Sequence, residues 1–169
     1  MNLAKCAIGT AALVPFVFAG ALSDLTASDE TRASPIFGVT IPDDYRSWEL
    51  VAPALEAGPF DELRSVLAND VAIKAYREGK RPFPDGTILV KLAWKRTQSP
   101  DFESASIPGA PTTVQIMVKD SRKYAATGGW GFGRFIDGAP VDEAQHQTCF
   151  GCHEARVKGR DYVFTHFAP

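Results

Sequence analysis

The plainest regularity in the chain is the alternation of side chains over Thr87–Arg96. Ile88, Val90, Leu92 and Trp94 fall on one face of an extended segment; Leu89, Lys91, Ala93 and Lys95 fall on the other. Thr112–Lys119 repeats the pattern with Val114, Ile116 and Val118 together, and Gly129–Ile136 sets Trp130 and Phe132 opposite Phe135. Tyr45–Ala52, through Trp48, Leu50 and Ala52, and Leu63–Leu67 read as two earlier strands. Turn chemistry separates them: Ala54–Pro59, then Arg81–Gly86 with two prolines and Asp85-Gly86, and later Asp137-Gly138. Thr97–Pro111 is polar and proline-bearing, and reads as a loop. Helical patterns are short. Val71–Glu78 can be capped by Asn69 or Asp70 and closed by Gly79. Asp120–Ala125 suggests one turn, Asp142–Arg156 a longer helix, and Tyr162–Phe167 a final extended piece. The pattern predicts an α+β fold, mainly antiparallel β-sheet with a few short helices and the longest helix last.

The first residues have another logic. Lys5 precedes an apolar or small stretch, Cys6–Ala21, and Ala19-Gly20-Ala21 fits an A-x-A cleavage site. Those 16 residues fall short of the roughly 20 needed to span a bilayer. Residues 1–21 are therefore expected to be an export signal; an uncleaved anchor is the alternative. Residues 22–44, rich in Ser, Thr, Ala, Asp and Pro, are expected to form a flexible N-terminal arm before one domain at 45–169. Removing the signal changes the net charge of −2 to −3, which argues against nucleic acid or a membrane surface as partner.

Export also changes how the remaining cysteines read. Cys6 goes with the signal, so the mature chain keeps only Cys149 and Cys152. They belong to Cys149-Phe150-Gly151-Cys152-His153, the C-x-x-C-H sequence that attaches c-type haem on the late helix. Each thiol can add across one porphyrin vinyl group, and the histidine can then ligate the iron. A zinc site would need a second ligand pair, which the mature cysteines cannot supply. One covalent haem c per chain, held by Cys149, Cys152 and His153, is the expectation, with a periplasmic location. An ordinary small cytochrome c carries this motif near its start and a methionine far downstream. Here 16 residues follow His153 and none is methionine.

An ordered set of further blocks accompanies the motif: Tyr45-Arg46-x-Trp48, Phe60-x-x-Leu63-Arg64, Asp85-Gly86-Thr87-x-x-Val90-Lys91, Val118-Lys119-Asp120-Ser121, Trp130-x-Phe132, and Val163-Phe164-Thr165 with Phe167. Together they resemble the cytochrome P-460 family, which includes the β-type cytochromes c′. The resemblance spans about Tyr45 to Pro169. It implies a homodimer of mainly antiparallel sheets, each chain with a five-coordinate c-type haem open on its distal side. It implies binding of small nitrogen oxides or oxidation of hydroxylamine, with electrons passed to a periplasmic partner. Lys91 matches the lysine that the P-460 branch joins to the haem edge; the β-type branch lacks that link and caps the distal pocket with aromatic residues. Arg64 matches a polar distal residue, able to bond an iron ligand or a propionate, or else to pair with Asp61 or Glu62.

Other residues carry alternatives at this stage. His146 lies about two helical turns before His153 and reads as solvated or near the haem rather than as a ligand. His166 reads as surface or packing, Met117 as packing, Lys95 as a solvated strand end, and Phe60 as distal lining or core. Asp142 and Glu143 are candidates for a distal acid, or simply begin the helix. Three function classes stay open: a hydroxylamine or nitric oxide oxidoreductase, a nitric oxide binder, and a plain electron carrier.

Overall fold

A computed structural model describes residues 32–168. The expected export signal, 1–21, and the arm up to residue 31 lie outside the described residues. The remainder forms six strands: β1 Glu49–Glu56, β2 Glu62–Ala68, β3 Ile88–Gln98, β4 Ser106–Lys119, β5 Trp130–Ile136 and β6 Ala139–Pro140. They make one sheet in chain order, and every neighbouring pair is antiparallel. The described residues hold two α-helices, α1 Asp70–Arg77 and α2 Glu143–Val157. This is the expected α+β architecture, with α2 after all the strands.

Three segments depart from the sequence reading. Thr97–Pro111 is largely strand, because β3 and β4 continue as a long hairpin with only 99–105 between them. Register shifts around Trp94 bring Pro111 opposite Trp94 and Pro108 opposite Arg96, so two prolines fit a ladder they would otherwise interrupt. β1 begins later than expected, after a 3-10 turn at Tyr45–Ser47, and it runs on to Glu56. Tyr162–Phe167 is ordered but pairs in no strand. The helix signals held: Asn69 caps α1 by accepting from the Ala72 N–H at 3.1 Å, and the same oxygen accepts from Ile88 N at 3.1 Å. One side chain thus starts both α1 and β3.

The arm also differs from expectation. Ser34, Phe37 and Val39 are buried. Ser34 Oγ donates to the Phe132 carbonyl at 2.9 Å, Tyr124 Oη donates to the Phe37 carbonyl at 3.0 Å, and Phe37 packs edge-on against Phe132. The cause lies in β5, whose last strand partner, β6, is two residues long, which leaves carbonyls for the arm to satisfy. Gly131 and Gly133 make room on the same strand: a Cβ at either would strike the Tyr124 ring or the Phe135 and Val39 side chains.

Behind α2, the chain is fixed by a buried charge. Lys119 at the end of β4 and Asp161 are paired at 2.7 Å, with side chains 6% and 8% exposed. Lys119 also donates to the Gly128 carbonyl at 3.0 Å and lies over the Trp130 ring, while the other Asp161 oxygen accepts from Phe83 N at 2.8 Å. Asp161 and Tyr162 both have left-handed backbones, φ 52° and 62°. Asp161→Asn keeps a residue that tolerates that conformation but leaves the ammonium without a counter-charge. It is expected to lower stability by about 3 kcal/mol in urea unfolding; a change under about 0.5 kcal/mol would contradict the pair's importance.

Candidate haem site

Asp142 begins α2 as its N-cap, accepting from Gln145 N at 2.9 Å, and Glu143 favours the first turn and bonds the Gln147 amide at 3.1 Å. Both acids therefore serve the helix start. Farther along, Cys149, Cys152 and His153 stand three and four residues apart, on one side of the helix. Cys149 is half-buried and Cys152 exposed. Burial raises the Cys149 pKa, against the nearby Arg134 charge. The His153 ring lies between Phe132 and Phe164, with centroids 5.0 and 4.9 Å away. Its Nδ1 is 2.7 Å from the Tyr162 carbonyl, which makes Nδ1 the N–H and leaves the Nε2 lone pair free. Burial lowers the His153 pKa, countered by the Tyr162 bond and reinforced by Lys91.

The opposing surface is one face of the sheet. Lys91 lies opposite Val66 on β2 and Gln115 on β4; Gln115 lies opposite Arg134 on β5; Arg64 lies opposite Ala93. Alternation puts Arg64, Val66, Lys91, Gln115 and Arg134 together. Burial lowers the Lys91 pKa to about 8, helped by Arg64 and Arg134 and opposed by Glu62 and Cys149. Lys91 thus feels α2's Cys149, and His153 feels Lys91: the lysine faces the haem motif. At pH 7 roughly a tenth of such an amine is neutral, against well under about a thousandth for an ordinary lysine. Lys95, at the strand end, instead donates to the Phe60 carbonyl at 2.9 Å and is exposed.

Arg64 is committed to carboxylates. It bonds Glu62 at 2.6 and 3.0 Å and pairs with Glu56, while Asp61 pairs with Arg96 at 2.7 Å. Thr112 Oγ1 donates to the other Glu62 oxygen at 2.8 Å, so the buried Glu62 is engaged on both sides. Burial and then Arg134 lower the Arg64 pKa. Arg134 escaped the sequence reading, which attended to the aromatic residues of β5. Its signal was the period of two from Phe132 onto the Lys91 face. Its Nε is buried with no hydrogen-bond partner among the described residues. Phe60 is half-exposed beneath the Arg64 guanidinium rather than in the core.

His146 is fully buried, which excludes the solvated alternative. Nδ1 is 2.9 Å from the Asp142 carbonyl, within the first turn of α2, and Nε2 accepts from Arg134 N at 3.1 Å, which joins α2 to β5. Met117 lies opposite Leu89 and Phe132 and packs on the core, as expected. His166 lines a separate cleft.

Among the described residues no group of three or more His, Cys, Asp or Glu is placed to hold a metal ion by itself. The donor set suits a prosthetic group: two thiols, an oriented imidazole with a free nitrogen, and a buried guanidinium nitrogen awaiting an acceptor. The Cytochrome P460 family model matches residues 42–165, and the chain belongs to that family. No curated protein matches the chain. Among the described residues no helix is long and apolar enough to cross a membrane.

His146→Leu is expected to cost about 1–3 kcal/mol in chemical unfolding, because it strands the Arg134 N–H. The ferrous absorption spectrum of the haem-bearing protein should not change. A changed axial ligation in that variant would show that His146 reaches the iron.

Proposed function

We propose that this protein is a periplasmic mono-haem c-type cytochrome of the P-460 kind that binds and oxidises small nitrogen compounds, hydroxylamine or nitric oxide. Cys149 and Cys152 would hold the haem through thioethers, and His153 Nε2 would ligate its iron. When bound, the haem supplies an iron that coordinates the ligand nitrogen and a route for its electrons. The remaining work falls to the chain. The Tyr162 carbonyl keeps the His153 ring in one tautomer. The half-buried Lys91 keeps a neutral fraction, the nucleophilic form, and it is our candidate for a third tether at the haem edge; there an N–H and a C–H would give way to an N–C bond, with two protons and two electrons lost to a two-electron oxidant during maturation. Arg134 offers a donor to a propionate or to a ligand oxygen. We further propose a homodimer and a periplasmic electron acceptor, with neither nucleic acid nor membrane as partner.

The observation that carries this reading is the placement of Lys91: on the sheet face opposite the haem motif, with its pKa lowered to about 8. A second reading, a nitric oxide binder that does not turn over, is favoured by Glu62. It is the carboxylate whose charge reaches Lys91, and Arg64 and Thr112 occupy both of its oxygens, so it is committed to structural partners rather than to a ligand.

Proteolysis and mass spectrometry of protein matured in an exporting host separate the two. The expected haem peptide joins the Cys149–Cys152 segment to the Lys91 peptide. Lys91→Ala should keep the haem, shift the reduced spectrum back to that of an ordinary c-type haem, and abolish hydroxylamine-dependent reduction of an artificial acceptor. A free Lys91 peptide in the native protein would leave the nitric oxide binder. Cys149→Ala with Cys152→Ala should make any haem extractable by acidified solvent; haem that stays fixed would sink the attachment itself.

A further inference from the structure

An open cleft of about 320 Å³ lies between the end of α1 and the turn after α2, and it shares no residue with the Lys91 face. Arg81, Arg160 and His166 line it with Tyr76 and Phe167, whose rings are stacked at 5.7 Å. The two guanidinium groups are unusual in what they lack. Arg81 lies 3.7 Å from the Phe83 ring centroid, and its hydrogen bond goes to the adjacent Lys80 carbonyl at 2.7 Å. Arg160 donates to the Phe164 and Thr165 carbonyls at 3.1 and 3.3 Å. Neither forms an ion pair among the described residues. The neighbouring carboxylate, Asp161, is taken by Lys119 and by Phe83 N. Burial lowers the Arg81 pKa, opposed by Tyr76 and Asp161 and helped by Arg160. The two bordering segments, 74–81 and 154–161, hold seven Lys or Arg against three Asp or Glu, on a chain of net charge −2.

Two guanidinium groups lining one cleft, neither in an ion pair among the described residues, form a field that an anion would relieve, and each presents planar donors suited to carboxylate or phosphate. We propose that this cleft binds a small polyanion carrying two or more carboxylate or phosphate groups. Arg81 and Arg160 each take one group, and the Tyr76–Phe167 stack supplies a flat apolar wall. The volume lies at the lower end of the roughly 300–1,000 Å³ of small-molecule sites, so a multi-group anion fits better than a single small ion.

The cleft also touches the strap that orients His153. Tyr76 Oη and Arg160 both donate to the Thr165 carbonyl, the Phe164 ring packs on His153, and the Tyr162 carbonyl holds its Nδ1. An anion that draws Arg160 away from the strap would loosen the hold on His153. This coupling rests on the haem reading; the binding itself does not.

Isothermal titration with citrate at low ionic strength tests the site, with sodium chloride at matched ionic strength as control. The wild-type protein should bind one citrate per chain saturably. Arg81→Gln and Arg160→Gln should each weaken binding by about tenfold or more, and Arg96→Gln should not. Arg81→Gln leaves the strap's hydrogen bonds in place, so it tests the site even if Arg160→Gln misfolds. Equal binding by wild type and Arg81→Gln, or heats reproduced by chloride, would overturn the site. A second arm follows the haem reduction potential, which citrate should shift in the wild type and not in Arg81→Gln. A potential that stays fixed while citrate binds would overturn the coupling to His153. A chain found to carry no haem would still give the calorimetric result, so the two readings fail separately.

Discussion

The hydrogen bond between His153 Nδ1 and the Tyr162 carbonyl is the contact on which the site depends. A histidine on a helix has freedom at two torsions, and a free ring would offer either nitrogen to a metal. This one is held by a carbonyl nine residues later, which exists in that place because Asp161 and Tyr162 turn the chain left-handed. Such a backbone costs energy in non-glycine residues and persists only when its surroundings over-determine it. The buried Lys119–Asp161 pair and the bond from Phe83 N provide that determination. The end of the fourth strand thus reaches the imidazole through one ion pair and one turn. A pair that would be poor value for stability alone can set geometry where a site needs it.

On the face that carries Lys91 the sheet presents a concentration of positive charge. Lys91, Arg64 and Arg134 share one face, and the engaged Glu62 and Glu56 balance it only in part. Burial first, and then the charges of Arg64 and Arg134, keep Lys91 in reach of its neutral form, and the Arg134 Nε has no acceptor among the described residues. Both features are costs in the polypeptide alone, and a carboxylate-bearing group of the proposed kind, seated against this face, would relieve both. His146 is the complement: a buried imidazole whose two nitrogens are spent on backbone, so that α2 docks at a fixed height over β5.

Much of this was legible in sequence because it rests on local signals. Period-two alternation gave β3 and the face of Lys91; Asn69, Gly79 and Asp142 marked the helix ends; the spacing of Cys149, Cys152 and His153 carried the chemistry. What escaped was set by tertiary contact. Ser34, Phe37 and Val39 look like part of a polar arm until β5 is seen to have so short an outer partner. Pro108 and Pro111 argue for a loop until register shifts around Trp94 accommodate them. Arg134 is one cation among many until its strand is placed two from Lys91. His146 could not be told from a solvated histidine, because its partners are backbone groups that no side-chain pattern announces.

The long β3–β4 hairpin has a consequence for how this protein can meet others. β5 pairs with β4 only from Val114 onward, so among the described residues 106–113 form a free sheet margin. A bare strand margin is a template on which another chain can extend the sheet, the usual route to amyloid-like stacking. Here Pro108 and Pro111 remove two amide donors from that stretch, and Arg96 and Lys95 set charge on the adjoining strand. The backbone therefore declines strand addition while exposing Phe102 and Ile107 as side chains. Recognition in this region must proceed by side-chain packing, with the polypeptide ladder closed to newcomers.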